Sequence, residues 1–281
     1  MATLAPVDPQ VLLDEVAAGL AAGTLAPYLG PGIAALAEPA APMTPEALAA
    51  FFAGKTALPK RAQGNAWAAA QYIESRRFRD TVTLWMNEAF AEPVAPTPFH
   101  RWLAGLPLRL IVDSWYTGEM RRALAEACAD WAEVQGITRA GIGEARWFRF
   151  YDAAGAALDE ERAAAVGTLL YAPHGGIAPS ANYLISDADY VEVLTEIDIQ
   201  TPIPEEVRRR RTGLGFVFVG CRFHDQLLRT YARQIAKRSA GRHYAIIEAA
   251  TLTRNELRFL DEQRIAVIDL PLAEALARIT G

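Results

Sequence analysis

At 281 residues, with 52% hydrophobic and 22% charged positions, the chain can fill one large domain or a core with a smaller module, and its formal charge of −5, built from both signs, argues against duplex nucleic acid as a partner. Only Cys128 and Cys221 occur, which excludes a disulfide framework and a zinc ribbon, so no metal is expected. The first residues lack a basic segment followed by an apolar core, and no run of about 18 apolar residues appears, so the expectation is a cytoplasmic protein without membrane contact.

Asp8-Pro9 supplies a helix cap and a first-turn proline, and Val11, Leu12, Val16 and Leu20 form an apolar stripe, so a first helix is expected up to about Gly23. Residues 25–29 read as a buried strand running into Gly30-Pro31-Gly32, the strand, turn and helix order of a first nucleotide-binding crossover. The alanine- and proline-rich stretch 33–42 reads as more loop than helix. From Thr44-Pro45-Glu46 to about Glu92 helix follows helix with no strand between, and a proline-rich linker at 93–98 closes it. Residues 44–96 are therefore expected to form a helical insert whose aromatic side chains pack rather than stack on bases.

A short helix at 99–105 leads to a strand at 108–112, and a further helix is expected from about Gly118 to Val134. Residues 144–151 alternate like a strand, and apolar runs recur at 169–171, 183–185, 215–219, 244–247 and 265–268. Thr253 and Glu256 are spaced as a capping box before the helix between the last two strands. Near-continuous apolar strands separated by amphipathic helices indicate an α/β fold, a Rossmann-like, mostly parallel sheet with helices on both faces, made of residues 1–43 and 97–281. Arg208 to Arg211, following Glu205 and Glu206, suit a helix dipole; an anion or partner site is the alternative.

In such sheets ligands gather outside the carboxyl ends of the strands. Four ends carry chemistry here: Gly30-Pro31-Gly32, then Asp113-Ser114-Trp115, then His174-Gly175-Gly176, then Gly220-Cys221-Arg222. Proline has no backbone N–H, so the first turn offers an anion fewer donors than an all-glycine loop. His174 has a side chain whose ordinary pKa suits a general base, although a solitary histidine is also commonly structural. Asp113 reads as a nearby carboxylate or as a helix cap, and Asp225 as a cap. Arg222 could hold a phosphate through its fork or pair with a carboxylate such as Asp225. His224 and His243 have no partners at metal-ligand spacing.

In their order along the chain, Gly30-Pro31-Gly32-Ile33-Ala34, Asp113-Ser114-Trp115-Tyr116-Thr117, His174-Gly175-Gly176 with Ser186 to Tyr190, and Gly220-Cys221-Arg222 with Asp225 resemble the bacterial sirtuin-like domain family, the zinc-module-free, NAD-hydrolysing kind. The resemblance implies NAD or a related adenine nucleotide as cofactor, with Gly30, Gly32, Ser114, Trp115, Gly220 and Arg222 around it and His174 as catalytic base. Departures from the family pattern are Pro31 for alanine, Ala34 for serine and Arg222 for a small hydroxyl residue. The gravest is Trp115 where an asparagine is usual, since an indole has one donor and no acceptor. It reads as a plug or as a stacking contact to an altered ligand. Ser186 and Asp189 then begin a helix, as the family's equivalent stretch does. What this implies is a nucleotide-binding sensor or assembly component with reduced or lost cleavage. The alternatives are an active NAD glycohydrolase, with Asp113 or Ser114 assisting His174, and an interaction protein with a filled pocket. A protein partner on the helical insert and a homo-oligomer belong to the same set of expectations.

Overall fold

The computed structural model describes residues 8–127, 130–138, 147–196, 203–237, 239 and 241–281. Cys128 and residues 144–146 of the expected strand lie outside them. In chain order the elements are α1 (Pro9–Ala21), β1 (Leu25–Leu29), the single turn α2 (Gly32–Ala35), α3 (Pro45–Lys55), α4 (Ala66–Ala89), α5 (Pro98–Ala104), β2 (Leu110–Asp113), α6 (Glu119–Ala127), β3 (Trp131–Gly136), β4 (Phe148–Asp152) and β5 (Ala157–Leu158). They continue with α7 (Glu160–Ala164), β6 (Thr168–Ala172), β7 (Gly175–Gly176), β8 (Asn182–Tyr183), α8 (Asp187–Glu196), α9 (Glu205–Arg211), β9 (Gly215–Val219), α10 (Gln226–Ala236), β10 (His243–Ile246), α11 (Arg254–Glu262), β11 (Ile265–Ile268) and α12 (Leu272–Thr280).

Local chemistry accounts for most of the boundaries. Asp8 accepts the Gln10 N–H at 2.9 Å to start α1, and Thr253 and Glu256 form both halves of the capping box that starts α11. The buried stripe of α1 is Leu12, Leu13, Val16 and Leu20, whereas Val11 is half-exposed. Gly19 in that helix lies against β1, where an added Cβ would sit 2.7 Å from Leu25 Cδ1. The expected helix at 118–134 is instead α6 followed by β3. Burial of Trp131 to Gly136 between β6 and β4 overrides a segment whose own residues favour neither period. Of the apolar run at 183–185 only Tyr183 joins a strand, in a two-stranded ribbon of β7 and β8 apart from the main sheet.

The main sheet has nine strands among the described residues, ordered β11-β10-β9-β1-β2-β6-β3-β4-β5. Neighbours pair parallel from β11 through to β3, and β4 and β5 add an antiparallel edge. Successive strand residues point to opposite faces, so Val217 and Val219 enter a core with α1, α5, α6 and α12, while Phe216 and Phe218 enter one with α7, α9, α10 and α11. A third core lies by α3 and α4, where Leu48, Phe52, Trp67 and Met86 meet Trp115, Tyr116 and Tyr190. Inside α4 the backbone breaks at Phe78 (φ 66°, ψ 162°), and the next residue, Arg79, turns inward to Asp189 at 2.8 Å. That ion pair helps hold a conformation costly for a residue with a Cβ.

The arginine run of α9 is structural. Arg210 is 5% exposed and its guanidinium donates to the carbonyls of Arg109 (2.8 Å), Val166 (2.7 Å), Gly167 (3.1 Å), Ala163 (3.3 Å) and Ala164 (3.2 Å), besides pairing with Glu206. Arg211 donates to the carbonyls of Gln234 and Ile235 near the end of α10, and Arg208 and Arg209 pair with Glu205 and Glu206. Each arginine of the run thus has a partner within the chain, and Arg210 and Arg211 are buried and spent on carbonyls. Arg210→Leu leaves the Glu206 carboxylate and several carbonyls without their partner, and urea unfolding is expected to show a loss of about 3 kcal/mol or more.

Candidate functional site

Strand β1 lies between β2 and β9, and the order of the sheet reverses there, which opens a crevice at the carboxyl ends of the strands. A cavity of about 480 Å³ occupies this crevice. Its floor is a backbone contact. A Cβ on Gly30 would lie 2.4 Å from the Gly220 carbonyl oxygen, and Gly220 itself has φ +66°, so both positions require glycine. The close approach engages the amides of the loop: Gly30 donates to Val219 O at 2.8 Å, Gly32 to Gly220 O at 2.9 Å, and Ile33 to Gly30 O at 3.5 Å.

Of the residues expected to surround a cofactor, Gly32, Ser114, Trp115, Gly220 and Arg222 line the cavity, and Gly30 packs behind its floor. Ser114 donates its hydroxyl to Leu29 O at 2.7 Å. Trp115 is 4% exposed; its indole N–H donates to Pro42 O at 3.1 Å, and its ring packs against Tyr116 at 5.0 Å between centroids. The indole therefore ties the loop before α3 to the end of β2. Arg222 forms a two-bond fork with Glu256, both at 3.0 Å, and donates also to Thr251 O. Its partner is thus Glu256 and not Asp225, which caps α10 through the Leu227 N–H.

Sequence reasoning missed part of the rim. Met43, Thr44 and Glu46 line the cavity from the start of α3, and Phe223, Leu228 and Thr253 line it from the β9–α10 and β10–α11 connections. Thr44-Pro45 was visible as a helix start, but nothing local says that this start folds over the end of β1. Glu46 meets His224 at 3.0 Å across the rim. Glu256 is fully buried; burial pushes its carboxyl up, but hydrogen bonds from Arg222, Thr253 and the Phe223 N–H outweigh it and hold the group at about 2.

His174 is not among the residues lining the cavity. It is 3% exposed, its ring packs 4.5 Å from that of Tyr231 and 5.6 Å from that of Tyr190, and Nδ1 lies 3.3 Å from the Tyr190 hydroxyl. The Tyr190 hydroxyl also lies 3.0 Å from Leu184 O, and His174 Nε2 is buried with no hydrogen-bond partner among the described residues. Burial lowers the His174 pKa to about 3, so the ring is neutral at physiological pH. Asp113 is buried as well and accepts the Trp115 N–H at 3.3 Å; burial and the nearby Glu119 carboxylate raise its pKa well above the usual range. Ser186 and Asp189 reciprocate across the start of α8, as their spacing indicates. Among the described residues no group of His, Cys, Asp and Glu could hold a metal ion, and no helix is long and apolar enough to cross a membrane.

Comparison with known families matches residues 109–268 to the SIR2-like domain, a span holding the second, third and fourth of the strand ends above. No curated protein matches the chain.

The buried imidazole has a consequence for stability. The unfolded chain takes up a proton near pH 6.5 and the folded chain only near 3, so the stabilisation from this group is complete above about pH 6.5 and is lost as pH falls towards 3. In urea unfolding between about pH 4 and 6.5, His174→Gln is expected to show a shallower fall in stability than the parent chain. Equal slopes would mean that the imidazole protonates within the folded state.

Proposed function

The chain belongs to the SIR2-like domain family, and from that premise we propose that it binds NAD or a related adenine nucleotide in the crevice at β1 and does so without efficient cleavage, as a sensor or assembly component. The observation that carries this reading is Trp115. Its indole is fixed in the cavity wall by Pro42 where the family pattern has an asparagine amide, while His174 lies outside the lining. Cleavage of the bond between nicotinamide and ribose needs a group that positions water and a base that reaches the ribose. An indole supplies no acceptor for the first task, and a neutral imidazole packed among Tyr190 and Tyr231 is poorly placed for the second.

The fit of a dinucleotide is partial. Aromatic and aliphatic walls suit its rings, but the N–H groups of Gly30 and Gly32 are turned onto the carbonyls of Val219 and Gly220 and that of Ile33 onto Gly30 O, and Pro31 has none. An open volume of about 480 Å³ speaks against a filled cleft, and so against a purely structural role. A second reading, an active glycohydrolase, draws on the unpartnered His174 Nε2, a buried ring nitrogen that a substrate hydroxyl could satisfy after a rearrangement.

Two measurements separate these readings. Titration calorimetry with NAD, ADP-ribose and adenosine at millimolar ligand is expected to give heat with at least one of them, and silence with all three would end the binding proposal. Incubated with NAD for hours, the purified chain is expected to release no nicotinamide above buffer. Release that disappears in His174→Ala would establish the enzyme instead.

A further inference from the structure

Resting on the nucleotide reading above, we infer that the crevice selects the uncharged part of such a ligand, a nucleoside with ring and sugar, over any ligand that carries a diphosphate. Of the titratable groups that line the cavity, burial keeps Tyr28 and Cys221 neutral, Arg222 pairs with the buried Glu256 and His224 with Glu46. Among the described residues no unmatched cation therefore lines the cavity, and Glu46 places a carboxylate on its rim. A diphosphate moved into such a site loses its hydration and gains no counter-charge, which is strongly unfavourable.

The backbone gives the same answer. A glycine loop holds phosphate by pointing free N–H groups at it. Here Gly30 and Gly32 donate to Val219 and Gly220, Ile33 donates to Gly30, and Pro31 has no hydrogen to give. The contact that makes the floor of the cavity is also the contact that removes these donors.

What is left suits a flat, neutral ring. Trp115 and Phe223 present aromatic surface, and Met43 and Leu228 complete an apolar enclosure. Of the hydroxyls that line the cavity, Thr253 is spent on Glu256 and Tyr28 is paired with Ser114, and two supply direction. Ser114 gives its proton to Leu29 O, pairs with Tyr28 and keeps one lone pair for an amino or sugar N–H or O–H, whereas Thr44 accepts the Ala47 N–H and keeps its proton to donate. One acceptor and one donor among apolar walls match a nucleobase with its ribose and offer a diphosphate no counter-charge.

Calorimetry on the full chain with adenosine, ADP-ribose and NAD, each at about 50 and 500 mM NaCl, tests this. Adenosine is expected to bind with affinity that changes less than about twofold between the two salts, and the two diphosphates to bind roughly tenfold more weakly. ADP-ribose or NAD binding as tightly as adenosine or tighter, with affinity falling as salt rises, overturns the inference and leaves the nucleotide reading standing. No heat with any of the three removes both. Leu228→Trp, which narrows the cavity, is expected to abolish adenosine binding while thermal melting shows the chain folded. Undiminished adenosine binding in that folded variant places the ligand elsewhere and overturns the inference. If the variant does not fold, Thr44→Val, which leaves the cavity open and removes the donor, is expected to weaken adenosine roughly fivefold or more, and unchanged affinity there overturns it equally.

Discussion

Two backbones meet at the centre of this molecule with no side chain between them. Gly30 at the end of β1 and Gly220 at the end of β9 approach so closely that a methyl group on either would collide with the other strand's loop. The contact lets β1 and β9 keep parallel register from Leu25 opposite Gly215 to Leu29 opposite Val219 and then diverge. Divergence at that point makes the crevice, and hydrogen bonds across it, Gly30 to Val219 and Gly32 to Gly220, give the crevice a floor. One steric requirement thus fixes the centre of the sheet, the location of the cavity and the scarcity of donors inside it.

Two buried carboxylates act as junctions, one beside the cavity and one away from its lining. Glu256 accepts from Arg222, from the Phe223 N–H and from Thr253, which joins the loop after β9 to the start of α11. Asp189 accepts from Arg79, from the Ile185 and Ser186 N–H groups and from Thr138, which joins α4 to the ribbon and to the end of β3. Each carboxylate collects donors from segments distant in sequence, so each is worth more as a junction than any one of its bonds suggests. Trp115 adds a third tie through Pro42, from β2 to the loop before α3. The cavity is therefore framed by two fastenings, at Glu256 and Trp115, that both lie outside the glycine loop.

Fold class was legible because the central strands are near-continuous apolar runs separated by amphipathic helices. Phe216, Val217, Phe218 and Val219 sort to opposite faces as a buried parallel strand demands. The capping box of α11 and the Asp225 cap were legible because their geometry is local. What could not be read lies in long-range pairing. Trp131 to Gly136 becomes a strand only because β6 and β4 lie beside it, and Thr44 reaches the rim only because the chain folds back after α2. At the site, the missing N–H of Pro31 was plain from the sequence, and so were the two ways Arg222 could be used. That Glu256 takes the guanidinium fork depends on a residue 34 positions away and on the depth at which it is buried. Similarly, a histidine on a glycine turn reads as reachable, whereas the tyrosines that enclose His174 come from α8 and α10.

The placement of β1 also bears on how the chain is made. Among the described strands it comes first in chain order and yet lies inside the finished sheet, with β2 on one side and β9, far later in the chain, on the other. A ribosome releasing the amino end first leaves one long edge of β1 unpaired until Gly215 to Val219 emerges, and joining ends so remote carries a large loop-closure entropy. The crevice is consequently a late product of maturation. Nascent chains lacking β9 present an apolar strand edge instead of a binding site.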